Sequence, residues 1–176
     1  GLRYARGMNY GLSMLFKEKK FYNYDAFFLL TNDTELEKKS TIKVLIDIFE
    51  IHKRLGILSP CSRRWGEKSL LKGANKTKYF WFIHNNSYFL RRDFVDIIIN
   101  KDVPDHINFL FDGNNFRGYC SESELIAKAY ANDWAAGITS KVWSSENESY
   151  LLNKSSQIKT ESYKENLKLY VQEGKK

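Results

Sequence analysis

Apolar residues along the chain alternate between short dense runs and stretches with helical spacing. The densest run is Ala26–Leu30, AFFLL, which stops abruptly at Thr31-Asn32-Asp33-Thr34. A run so short and unbroken suits a strand buried on both faces. Between Glu37 and His52, Ile42, Leu45, Ile48, Phe49 and Ile51 recur at helical spacing with Val44 beside them, which predicts an amphipathic helix; Ser40 or Thr41 caps a shorter version of it. Gly56–Ser59 reads as a short strand closed by Pro60, and 61–78 as a polar, basic loop. The aromatic stretch 78–92 reads as two strands interrupted at His84-Asn85-Asn86. A short helix follows over Asp93–Asn100, with Phe94, Ile97 and Ile98 inward. Further on, a helix opens at Ser121-Glu122-Ser123-Glu124, a strand runs over Ala135–Val142, and a last helix spans Lys159–Gln172. The first eleven residues hold three glycines, which predicts a loop leading into a helix through Lys19. Strands and helices in this alternation predict an α/β fold, a sheet flanked by helices. The division expected is a domain over 1–157 and a C-terminal helix over 158–176.

Composition narrows the class. The 176 residues are 43% hydrophobic and 15% aromatic, enough for a sizeable core and too apolar for disorder. No run of eighteen apolar residues occurs, so the sequence offers no membrane-spanning helix. Cys61 and Cys120 lack metal-site spacing and read as core thiols in a reducing cytoplasm. The net charge of +7 favours an anionic partner, and peripheral association with the inner face of a membrane is one form of that. The basic residues are scattered, however, without the continuous stripe of a nucleic-acid binder.

Candidate chemistry collects at a few places. Asp33 follows the end of a strand, where α/β sheets open their ligand crevices. Its carboxylate suits a divalent cation held against a phosphate, Mg2+ or Mn2+; alternatively Asp33 or Thr34 caps the next helix. Gly7 and Gly11 let backbone approach a ligand, and free N–H groups of the helix beyond attract an anion. His84, Asn85 and Asn86 are polar residues amid aromatics. Trp81 reads first as a core residue and second as a surface on which a sugar stacks. Glu122 and Glu124 sit in a helix start where acids serve as caps and match the helix dipole.

Three ordered segments carry a resemblance. LLTNDTEL, from Leu29 to Leu36, resembles the LLNPDTEL segment of family 2 glycosyltransferases, the nucleotide-sugar enzymes of the GT-A fold, in their rhamnosyltransferase-like branch. Tyr4, Ala5, Gly7, Asn9 and Gly11 match that family's N-x-G-[FY]-A-x-G-x-N-x-G segment, with Arg3 where a glycine is usual. Phe111-Asp112, Gly118-Tyr119, Glu122, Glu124-Leu125, Lys128 and Asp133-Trp134 fall in register with its third pattern. The resemblance implies a GT-A-like domain, a Rossmann-type mixed sheet flanked by helices, that lacks its N-terminal nucleotide-binding strands. It implies Glu122 as catalytic base, and Asn9, Gly7, Thr31 and Asp33 around the nucleotide sugar. Asp33 is then the metal ligand, and His84, Asn85, Asn86 and Trp134 the acceptor side. The function implied is inverting transfer of a hexose or deoxyhexose to a glycan or lipid-linked acceptor in surface polysaccharide synthesis. The alternative is a glycosyltransferase-like module that binds an anionic ligand without turnover.

Overall fold

The computed structural model describes residues 2–64, 67–72, 75–81, 83–84, 86–116 and 120–147, with Lys164, Lys168 and Val171. Expectations for Asn85, for Gly118-Tyr119 and for nearly all of the C-terminal helix lie outside the described residues.

Helix α1 spans Arg3–Lys17, so the expected glycine loop is helical from its third residue. Gly7 and Gly11 each cost a helix about 1 kcal/mol relative to alanine. Tertiary contacts outweigh that cost: Ala5, Asn9, Leu12 and Ser13 are buried along one side of the helix. Strand β1, Ala26–Leu30, coincides with the densest apolar run. A three-residue strand β2, Thr34–Leu36, follows and leads to helix α2, Thr41–Ile51. Strand β3 runs over Leu55–Ser62, with Pro60 inside it beside a shift of register at Cys61. The bulge accommodates the missing proline N–H, which is why the strand does not stop where the sequence suggests. Helix α3, Glu67–Leu71, lies in the segment read as loop, and β4, Thr77–Tyr79, and β5, Ser87–Arg91, follow. Helix α4 spans Arg92–Ile98, α5 Ser121–Ala131, and β6 Ala135–Glu146.

The sheet is mixed, in the order β1-β5-β3-β6-β2, with β4 also on β6. β3 and β6 are parallel, and β5 is antiparallel to both β1 and β3. Alternate residues divide into two cores. Phe27, Leu29, Ile57, Tyr88 and Leu90 pack with α1, α4 and α5, and Leu58 and Phe89 pack with α2. The α4 layer lies close: a Cβ at Gly56 would stand 2.6 Å from Phe94 Cγ. Arg91 ties α2 to the sheet by donating from Nε to the Leu55 carbonyl and from Nη2 to the Phe49 carbonyl, at 3.0 and 2.7 Å.

β1 differs from expectation in its position, because among the described residues it is an edge strand. Thr31 N–H donates to Asn86 and Arg92 N–H to Asp25, which fixes the phase of its ladder with β5. Phe27 and Leu29 therefore turn their backbone groups inward, and Ala26, Phe28 and Leu30 turn theirs to the open side. Beside this edge, Gly7, Met8, Gly11 and Leu12 face Phe27 and Leu29 across an apolar groove of about 350 Å³.

Candidate active site

Helix α5 turns back through residues 132–134 into β6, so its N-terminus lies at the end of the sheet where β6 finishes. β1 parallels β3 and therefore finishes at the same end, and β5 begins there. Glu122, the Thr31–Thr34 turn and Asn86 thus belong to one rim.

The turn is built on hydroxyls. Thr34 N–H donates to the Thr31 carbonyl at 3.1 Å, and the two threonine hydroxyls are 2.7 Å apart. Thr34 Oγ1 donates to the Asn86 carbonyl at 2.8 Å. Thr31 is accordingly a fastening of the turn. Asp33 is partly buried; its carbonyl accepts from Asn147 N–H at 2.8 Å, and its carboxylate has no partner among the described residues.

Asn86 is the hub between the turn and the helix. Its Oδ1 lies 2.6 Å from His84 Nε2 and accepts from Ser87 Oγ at 2.8 Å, while its Nδ2 is buried without a partner among the described residues. An unsatisfied buried amide donor costs about 1–3 kcal/mol, a cost that a ligand oxygen can relieve. His84 is itself buried and stands close enough for its charge to favour ionised Glu122.

Glu122 is partly buried, and burial raises its pKa above the ordinary carboxylate value. Hydrogen bonds from its own N–H and that of Cys120, together with His84, pull the other way. Cys120 reaches this point with φ of 67°, in the left-handed region, just ahead of the helix. Tyr4, from the first turn of α1, completes the surroundings. Its buried hydroxyl has no partner among the described residues, and burial and the Glu122 charge both raise its pKa. Tyr4 is the residue that reasoning on chemistry alone misses; the only signal for it is its place in the glycine-rich match.

Glu124 has a different office. Both of its oxygens accept from Asp112 N–H, at 2.9 and 3.0 Å, and Lys128 pairs with it at 2.6 Å while also donating to the Leu110 carbonyl. Glu124 and Lys128 therefore lock α5 to the Phe111-Asp112 turn.

Two other expected ligand contacts lie elsewhere. Asn9 is wholly buried: its Oδ1 accepts from Leu110 and Phe111 N–H, and its Nδ2 donates to the Phe111 carbonyl at 2.8 Å. It is a backbone clamp. Gly7 faces the apolar groove along β1. Trp134 sits at the far end of α5, beside Phe94 at 6.2 Å, and is not brought together with Glu122. The geometry thus unites Asp33, Thr31, Asn86, His84 and Glu122 on one rim and separates Asn9, Gly7 and Trp134 from it.

Among the described residues, no three His, Cys, Asp or Glu side chains cluster as metal ligands. A cation resembling Mg2+ takes one or two carboxylates and completes its shell with phosphate and water, and the open Asp33 carboxylate fits that pattern. No helix among the described residues is long and apolar enough to cross a membrane. In comparison with known proteins, the chain matches no family model and no curated protein.

Proposed function

We propose that this protein is an inverting glycosyltransferase of GT-A type that uses a nucleotide-sugar donor, with Glu122 as its base. The single observation that carries the reading is the setting of Glu122: a partly buried carboxylate whose pKa is raised, beside His84, at a sheet end that also holds Asp33. A base whose pKa is raised takes a proton more readily than an ordinary carboxylate.

The reaction runs in line. The acceptor hydroxyl gives its proton to a Glu122 oxygen as its own oxygen bonds to the anomeric carbon. The bond from that carbon to the diphosphate breaks on the opposite face, and the nucleoside diphosphate leaves with the electron pair. The buried Asn86 amide, with a donor to spare, and His84 orient the acceptor's hydroxyls. Asp33 would hold a divalent cation, Mg2+ or Mn2+, and such a cation would supply neutralising charge to the leaving diphosphate. The net charge of +7 attracts the anionic donor and agrees with work at the inner face of a membrane, where lipid-linked acceptors are found. The mixed α/β sheet flanked by helices agrees with a GT-A-like domain.

The test is release of nucleoside diphosphate from a panel of nucleotide sugars in the presence of Mn2+ or Mg2+. Glu122→Gln should cut turnover by about 10²–10⁴-fold, the usual contribution of a general base, and leave donor affinity unchanged. Asp33→Asn should instead weaken cation-dependent binding of the nucleoside diphosphate in calorimetry. Equal turnover by wild type and Glu122→Gln would refute the assignment.

A further inference from the structure

The opposite end of the sheet carries a second concavity, of about 340 Å³, lined by Arg54, Tyr79, Tyr130, Asp133, Trp134 and Ala135. Its aromatic walls come from three elements: Tyr79 from β4, Tyr130 from α5, and Trp134 from the turn into β6. Each is held. Tyr130 Oη donates to the Phe80 carbonyl at 2.9 Å, Tyr79 Oη and His52 Nδ1 are 2.7 Å apart, and Trp134 packs on Phe94. Two of the rings remain well exposed, and Trp81, two residues beyond Tyr79, is 80% exposed. Exposed aromatics fixed by polar contacts at their edges offer rigid flat faces at little cost in side-chain entropy.

We infer that this concavity is a binding site for neutral sugar rings, separate from the Glu122 rim. The lining decides between classes of ligand. Arg54 Nε and Nη2 donate to the Asp133 carbonyl at 3.2 and 2.9 Å, and its guanidinium lies 3.6 Å from the Asp133 carboxylate. Those two opposite charges cancel, so the concavity favours neither a cation nor an anion. Both charged groups are exposed, and Arg54 Nη1 has no partner among the described residues. One offers donors and the other acceptors to a ligand rich in hydroxyls. A pyranose ring meets both demands, with an apolar C–H face for the rings and hydroxyls at its edge for Arg54 and Asp133. The inference does not depend on chemistry at Glu122. Its consequence for a protein acting on glycans is a hold on a chain some distance from the reacting end.

The experiment is NMR titration of the full chain with methyl α-rhamnoside, methyl β-glucoside and maltotriose. Concentrations run to about 50 mM, because a single shallow site binds in the millimolar range. The Trp134 indole and Tyr130 signals should move with at least one of these sugars. Tyr130→Ala should weaken the effect about tenfold, the worth of one aromatic face, and Tyr130→Phe should preserve it. Silence of Trp134 and Tyr130 with all three sugars overturns the site, as does an unchanged response in Tyr130→Ala. Shifts confined to His84 and Glu122 overturn it too, while supporting the transferase reading. Choline or adenosine moving Trp134 where the sugars do not would show that the rings serve another ligand.

Discussion

Two acids two residues apart, Glu122 and Glu124, look alike in sequence and differ in what surrounds them. Glu124 is matched oxygen for hydrogen by Asp112 N–H and Lys128, as a structural acid should be. At Glu122, burial outweighs the backbone hydrogen bonds and His84 and raises the pKa. Burial raises the pKa of both acids, and a raised carboxyl pKa has a thermodynamic sign. A carboxyl whose folded pKa lies above its unfolded value favours the folded state at low pH, and the benefit fades as pH rises through the folded pKa. At neutral pH, ionised Glu122 therefore opposes folding. Glu122→Gln should raise Tm at neutral pH, and the difference should close as pH falls below about 4.5, the ordinary glutamate value. Thermal melts across that range check it. A lower Tm for the variant at neutral pH would identify the backbone contacts of Glu122 as its main role.

At the scale of elements, period and punctuation reported most of the fold. AFFLL gave β1 at its true bounds, and the helical spacing of Leu45, Ile48 and Phe49 located α2. What escaped was decided by partners remote in the chain. Asn9 clamps residues 110 and 111, about a hundred positions away, and helps to hold two glycines in a helix where a loop was expected. Ile42 and Ile51, expected in the buried stripe of α2, are 51% and 70% exposed, since nothing covers that side of the helix among the described residues. Trp81, read first as core, lies outside it. In the candidate site, acids at strand and helix ends were legible from residue type; the hub role of Asn86 was not, because it joins its chain neighbours His84 and Ser87 to Thr34, which lies 52 positions away. The glycines give the element-scale test. Nothing lies within 4 Å of a Cβ at Gly7, so Gly7→Ala should stabilise α1 by about 0.5–1 kcal/mol. Gly56→Ala would drive a methyl into Phe94 and should cost about 1–3 kcal/mol. Urea denaturation of the pair reads both, and a gain at Gly56 would contradict the close packing of α4.

For the molecule as a whole, the charge of +7 and the open side of β1 act in opposite directions. Like charge keeps copies apart, and more so at low salt. β1 carries no charged side chain and pairs with β5 alone among the described residues, and open ladders of that kind recruit other strands. Leu30→Lys, at a 36% exposed position, and Ala26→Pro, which deletes an outward N–H and leaves the ladder with β5 intact, should each raise the protein concentration at which light scattering sets in. No change with either variant would mean that this side does not govern association. The register also sets how such association ends. Two copies of β1 meeting antiparallel about Phe28 bring Ala26 opposite Leu30, so every outward group finds a mate. The other edge of the sheet, among the described residues, is formed by two three-residue strands, β2 and β4, too short to offer a long ladder. Growth by this route therefore terminates at pairs, and crowding of the protein should yield a discrete dimer peak in size-exclusion chromatography before it yields filaments.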